Sequence, residues 1–425
     1  MRITVVRALG VILIFVLLVL WSACGEYYRP VAFPITPAPP NPAFSHLVLV
    51  LTDNGNNNPG ASTTIDVSGD TATSQSTVGI KPSYAALVVN GTRVFVANSG
   101  EDTVSTFEPT SATPVNVISL PAGSGPNFVA STESTTVYVS NSGNGTVSAI
   151  STVNNVITNT IPVGGTPVAM AEIPNGQKLY VANGATAAGS GSVVSINTVD
   201  KTVNLPVVAS PSAPWVSPTW VVTRSDSQRA YVLDKGSGFV IAIDTNFDTV
   251  VGTASVGVGA DFMVYDPALN RLYVTNPTSN TVFALSVSSD DLSIGALTAS
   301  VANPISVAAL PDGTRVYVAS AVVSGTTVSS KVTVFNTAQL SVRTSIPLAS
   351  VPLVCVTGTW SELSIAAAAD STRVYVGNCD ATNTDVIQAS NDSLVLTIPA
   401  PFGGPIAPPA TKQPLQNPVL VVAGP

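Results

Sequence analysis

The sequence predicts an all-β protein, a β-propeller of four-stranded antiparallel blades, and three observations carry that prediction. A line of strand-like sequence recurs, among others as RVFVANSGEDTVSTFE from Arg93, TVYVSNSGNGTVSAIS from Thr136, RAYVLDKGSGFVIAID from Arg229 and RLYVTNPTSNTVFALS from Arg271. Its central position aligns at Val50, Phe95, Tyr138, Tyr180, Tyr231, Tyr273, Tyr317 and Tyr375, with successive spacings of 45, 43, 42, 51, 42, 44 and 58. Periods in the forties holding four strand-like runs are the mark of propeller blades. Gly, Pro, Asn, Ser and Thr also interrupt the Val-rich runs every few residues, as turns interrupt short strands.

Composition narrows the function. Of 425 residues only 9% are charged, and 16 Lys+Arg stand against 24 Asp+Glu for a net charge of −8. A nucleic-acid partner needs a basic footprint, which is missing. One His and three Cys leave no His- or Cys-rich metal centre, and no cofactor is expected.

The first element in chain order is an export segment, residues 1–23. Arg2 and Arg7 precede an apolar run from Ala8 to Leu20. As a helix that run rises roughly 20 Å, short of the ~30 Å hydrocarbon core, so it reads as a signal peptide. The small residues Ser22 and Ala23 before Cys24 resemble the bacterial lipobox, with Cys24 lipidated as the mature N-terminus. Trp21 departs from that pattern, where Leu is usual; cleavage after Ala23 with Cys24 unmodified, or an uncleaved anchor, are the alternatives. Residues 24–43 follow as a linker whose six prolines favour an extended spacer. The export reading places the protein in the envelope, facing the periplasm or cell surface, with the lipid as its sole membrane contact.

Residues 44–425 form the predicted propeller. In each unit a strand with the aromatic ends in Asn or Asp, at Asp53, Asn98, Asn141, Asn183, Asp234, Asn276 and Asn378, with Ser320 in the remaining unit. Such side chains bond their own backbone two residues on and start turns. A Thr/Val strand, an outer strand and a Pro-introduced strand complete the unit. This resembles the YVTN family of β-propeller repeats of exported bacterial proteins, which the run Arg271-Leu272-Tyr273-Val274-Thr275-Asn276 carries outright. The resemblance implies an exported propeller with a binding or surface role. Many relatives have seven blades, the alternative to the eight units counted here. The ends favour eight: the first unit lacks a Pro-introduced strand, and Asn417–Ala423 supplies one with no strand after it. Pairing the two closes the ring and removes both open edges.

Chain order puts the turn after each second strand and the connection after each fourth on one rim. The enlargements Asp53–Ser62, Gly184–Ser190, Ala321–Ser330, Cys379–Asp385, Ser210–Thr219 and Ser350–Ser361 all fall there. Loops on a rigid scaffold commonly carry binding, so this rim is the candidate face, with Trp215, Trp220, Trp360, Asp53 and Asp380 as candidate contacts. Trp at a rim stacks on sugars or anchors a protein partner, or else plugs a gap between blades. Cys355 and Cys379 project to this rim from adjacent blades, and an oxidising compartment favours a disulfide. Asp380, Asn383 and Asp385 fit no standard Ca²⁺ loop, and no metal site is expected. His46, the only His, reads as a strand-end residue, so no His-dependent mechanism is expected. Glu172, Arg224 and Asp261 are too scattered to nominate a catalytic pair. The resulting expectation is a non-enzymatic envelope lipoprotein that binds a protein or glycan through the enlarged rim. A propeller enzyme of lactonase or lyase type is the alternative, favoured only if carboxylates converge on the channel mouth.

Overall fold

Apolar residues on both faces of the short runs leave each sheet two surfaces to cover, and radial stacking of sheets covers both. The computed structural model describes residues 46–424 except 56, 89–90, 111–114, 133–134, 187–188, 288–291, 340, 356–362 and 401–416. The signal peptide, Cys24 and the linker lie outside the described residues. Ser45–Pro425 is one compact unit. It is an eight-bladed propeller with no helix among the described residues. In each blade the chain runs outward from the channel through antiparallel neighbours. Blade 2, for example, takes Pro82–Val88, Arg93–Asn98, Thr103–Phe107 and Asn116–Ser119 in that spatial order. Blade 1 is closed as expected: Asn417–Ala423 pairs with Leu47–Asp53, whose other side carries Pro59–Asp66 and then Thr71–Ile80.

Proline shapes the innermost strands. Having no N–H for the ladder, it is tolerated where pairing is interrupted. At Pro82, Pro126, Pro167, Pro218, Pro304 and Pro418 the register skips one residue immediately after the proline.

The second strand of each blade carries the ties to both neighbours. Its aromatic packs toward the following blade, and Phe95, Tyr138, Tyr180, Tyr231, Tyr273, Tyr317 and Tyr375 are among the largest fully buried side chains. Three of the phenols end on the next blade's turn between third and fourth strands, on a residue with left-handed backbone. Tyr317 Oη donates to Asp392 at 2.6 Å, Tyr375 Oη to Asp70 at 2.6 Å, and Tyr180 Oη to Asp248; φ at these aspartates is 55°, 52° and 54°. In blade 3 the polarity is reversed, Lys201 Nζ donating to Tyr138 Oη at 2.6 Å. The basic residue two positions before the aromatic joins in. Lys178 reaches Asp248 at 2.9 Å, Arg315 reaches Asp392 at 3.2 Å and Arg373 reaches Asp70 at 2.8 Å. Burial first, and the neighbouring carboxylate second, hold the phenols of Tyr180, Tyr317 and Tyr375 well above their ordinary range, so all three remain donors.

The Asn ending the same strand ties backward. Asn276 Nδ2 donates to the Val256 and Gly257 carbonyls at 2.8 and 3.1 Å, and Asn183 Nδ2 to Val163 O at 3.4 Å. Asn98 Oδ1 accepts from Gly79 N at 3.2 Å. Only glycine fits at 79, since a Cβ there would lie 2.6 Å from Asn98 Cγ. These residues therefore strap adjacent blades as well as closing turns.

Blade 1 corrects the alignment by one residue. Thr52 lies opposite Pro418 as Asn98 lies opposite Pro82, and Leu49 lies opposite Val422 as Phe95 lies opposite Ala86. Leu49 and Thr52, rather than Val50 and Asp53, are the counterparts of the aromatic and the Asn. A shift of one residue turns a side chain to the other face: Leu49 packs with blade 2, Val50 with blade 8. Blade 4 is the irregular member. Its named strands number three, and the expected fourth survives as a bridge between Ile196 and Val203 plus two bonds, Asn204 N to Ser195 O and Val207 N to Val193 O, each 2.9 Å.

Asp70 accepts both the Tyr375 phenol and the Arg373 guanidinium across the seam where the ring closes. Asp70→Ala leaves both donors unpaired and lowers unfolding stability by about 2–3 kcal/mol in guanidinium titration. Removing residues 417–425 strips blade 1 of its inner strand, and gel filtration then shows larger species than the intact chain forms.

Candidate functional site

Among the described residues, those singled out on the enlarged rim do not assemble into one surface. Trp215 lies in the connection between blades 4 and 5 but turns inward: it is 8% exposed, packs with Tyr180, Val193 and Ile241, and its Nε1 donates to Val207 O at 2.9 Å. Trp220 sits on the innermost strand of blade 5, one ladder step past the bulge at Pro218, and points to the channel. Trp360 lies outside the described residues. Asp53 Oδ1 accepts from Gly55 N at 3.0 Å, a local turn. Asp380 is buried, its Oδ1 taking the amides of Val354 and Cys355 at 2.7 Å each. It thus anchors the approach to the Cys355–Cys379 disulfide, which joins residues 24 apart with sulfurs at 1.97 Å.

Two of the enlargements are differently built than the sequence suggests. Ala321–Ser330 is a lengthened hairpin, Arg315–Ser324 pairing with Thr327–Asn336 around Gly325. In blade 8 the turn is ordinary, four residues between Asn378 and Asn383, because Asn383–Gln388 already pairs as the third strand. Residues 401–416, between Pro399 and Asn417, lie outside the described set.

The channel carries an aromatic layer. Tyr84, Phe128, Trp220 and Phe262 stand at one ladder level of blades 2, 3, 5 and 6, each opposite the residue that precedes the terminal Asn or Asp. Tyr84 and Phe128 stack with centroids at 3.9 Å; Trp220 lies 5.6 Å from Phe128, 4.6 Å from Phe262 and 6.4 Å from Tyr84. Contacts between rings of blades that are not neighbours mean that the layer crosses the axis. Burial pushes the Tyr84 phenol up to about 12. Among the described residues no three His, Cys, Asp or Glu side chains come together as a metal-binding group. Glu172 is bonded to Thr132 N at 2.7 Å, and Asp261 pairs with Lys235 at 2.7 Å on the surface. Arg224 is held by Asp226 at 2.8 Å, and the pairing raises the Arg224 pKa and lowers that of Asp226. The three are thus engaged by different partners. His46 directly precedes the second strand of blade 1.

An open cavity lies elsewhere, on the outer edge between blades 4 and 5. A groove of about 930 Å³ runs between Asn204–Pro211 and Phe247–Thr253. Leu205, Val208 and Phe247 on its walls are 87%, 82% and 78% exposed. Beside it runs the irregular fourth strand of blade 4, where Pro206 has no N–H for the ladder and Leu205 and Val208 face solvent on either side of the buried Val207. Asp248, the one charged lining residue, is already engaged by Lys178 and Tyr180. The signal in the sequence is the 51-residue spacing from Tyr180 to Tyr231, with two prolines in an apolar stretch where the other blades have a clean outer strand.

No family model and no curated protein matches the chain. Solved structures do. The dihydro-heme d1 dehydrogenase NirN aligns with a TM-score of 0.62 at 11% identity, over 92% of this chain and 77% of that one. AztD from Citrobacter koseri aligns at 0.59 and 11%, over 89% and 98%. Kuenenia stuttgartiensis hydrazine synthase aligns at 0.55 and 18%, over 72% and 95%. At these identities the likeness is one of fold.

Two measurements follow from these placements. Trp220→Ala opens a hole in a packed aromatic layer and costs about 3–5 kcal/mol in chemical denaturation, whereas a Trp exposed for a ligand would cost under about 0.5 kcal/mol. Reducing the disulfide, or replacing both cysteines by Ser, costs about 3 kcal/mol for a loop of this length, seen as a lower Tm in dithiothreitol.

Proposed function

We propose that this protein is a non-enzymatic, exported scaffold of the YVTN-repeat kind, anchored in the envelope through a lipid on Cys24, that holds a protein partner along the groove of blades 4 and 5. The observation that carries the reading is the groove itself. Three large apolar side chains stand in solvent beside a blade whose fourth strand is incomplete, and surfaces of that kind are interaction sites. The partner fitting it presents an extended, uncharged, apolar segment, because the lining offers ring and aliphatic surface and an interrupted sheet edge, the elements used in strand addition. A sugar would find few free polar groups there, so a protein is preferred to a glycan. The groove is continuous with the enlarged rim, since Ser210 and Pro211 belong to both. The basic start, the short apolar run and Cys24 support export and anchoring, and the low positive charge speaks against nucleic acid.

The enzyme alternative draws support from neighbours such as NirN and hydrazine synthase, whose names are those of enzymes. Against it stands the aromatic layer, which fills the place where a channel-mouth site would need polar groups. A photo-crosslinking residue placed at Val208 tests the proposal in intact envelopes, with the same residue at Val395 on the outer strand of blade 8 as control. The expected result is one discrete protein adduct from position 208 that disappears when Leu205 and Phe247 are both changed to Glu. Adducts identical at both positions, or unaffected by those changes, contradict it.

A further inference from the structure

One interface between blades departs from a repeated polar pattern. In blades 2 and 3 the Asn ending the second strand gives its amide nitrogen to two hydroxyls of the third strand. Asn98 Nδ2 lies 3.0 Å from Thr103 Oγ1 and 2.9 Å from Ser105 Oγ. Asn141 Nδ2 lies 2.9 Å from both Thr146 Oγ1 and Ser148 Oγ. Blade 8 keeps the same register, with Asn378 opposite Asn383 and Val376 opposite Asp385, as Asn98 is opposite Thr103 and Val96 opposite Ser105. Asn383 and Asp385 therefore occupy the two positions from which side-chain oxygens converge on one nitrogen. In blade 8 that nitrogen is engaged elsewhere: Asn378 Nδ2 donates to Ser330 Oγ of blade 7 at 2.9 Å.

Two acceptors are left facing the space. Asn383 Oδ1 and Asp385 Oδ2 are buried and have no hydrogen-bond partner. Asp385 is 2% exposed, and its other oxygen takes one bond, from Thr397 Oγ1 at 2.7 Å. Turning the Asn383 amide over would offer Asp385 an N–H but no countercharge, and among the described residues no ion pair reaches this carboxylate. A buried carboxylate either takes up a proton, which burial favours at Asp385, or keeps its charge by pairing or by coordinating a cation.

We propose that Asp385 and Asn383 bind one hard cation between blades 7 and 8, at the end of the interface nearest the enlarged rim. Carboxylate and amide oxygens are the ligands of Ca²⁺ and Na⁺ rather than of softer metals. Asn383 is half-buried at the strand end, so water completes the coordination from the rim. A single carboxylate makes the site weak, in the range of extracellular Ca²⁺ modules, about 10⁻⁴–10⁻³ M. The ion would pin blades 7 and 8 beside the disulfide, independently of what the groove binds.

The test is the Tm of the full chain, stripped with EDTA and held in choline chloride, then given millimolar CaCl₂ or, separately, NaCl at matched ionic strength. The expected result is a rise of about 2 °C with one of the two salts, and the salt that produces it identifies the ion. Asp385→Ser restores the hydroxyl found in blades 2 and 3, so it folds, is at least as stable as the parent in EDTA, and no longer responds. Asp385→Asn also loses the response. A parent protein indifferent to both salts, or an equal rise in Asp385→Ser, overturns the proposal.

Discussion

Everything in this molecule depends on one strand per blade reaching two neighbours. In blades 4, 7 and 8 the second strand begins with a basic residue and an aromatic that grip the turn of the blade after it, and in blades 2, 4, 6 and 8 it ends with an Asn bonded to the blade before it. Between these polar ends, the described residues form eight apolar clusters, one in each interface. The division of labour follows from physics. Apolar contact is non-directional and would allow blades to slide, whereas a phenol bonded to a buried carboxylate fixes one angle and one height. Directed bonds at the two rims and apolar packing between them together set the pitch of the ring.

That construction explains where the molecule has surface to spare. Inner strands, three of them bulged at proline, deliver four aromatic rings to one level across the axis. Outer strands pair along one edge only and have the most freedom to degenerate. Blade 4 shows the consequence: its third strand and the Lys201 turn remain tied to Tyr138, while the fourth strand past that turn loses its ladder and exposes Leu205 and Val208. The groove is thus a local relaxation of the repeat that leaves the ring intact.

Blade number, strand order and closure were legible because they rest on local signals: period-2 runs, turn residues and a C-terminal strand without a partner. The register of blade 1 was not. Leu47–Asp53 is apolar on both faces and has no aromatic, so alternation could not tell Val50 from Leu49. The ties were not legible either, since Tyr180 and Asp248 are 68 residues apart and Tyr375 and Asp70 are 305 apart. Only the recurrence of Arg or Lys two places before the aromatic hinted at them. Trp215 and Trp220, five residues apart, were read as one surface; the first sits in a connection folded into an interface, the second on a ladder strand aimed at the axis. The Cys355 and Cys379 placement came from adjacency of blades, which the repeat does encode.

The central claim is that these ties make eight blades a single cooperative unit, seam included. Native-state hydrogen exchange followed by mass spectrometry addresses it most directly, by comparing peptides over the second strands of all eight blades. The account predicts that Leu47–Asp53 and Arg373–Asn378, on the two sides of the closure, exchange only through the same global opening as Arg229–Asp234 on the far side of the ring. Faster exchange of blades 1 and 8 through a separate, lower-energy opening would contradict it.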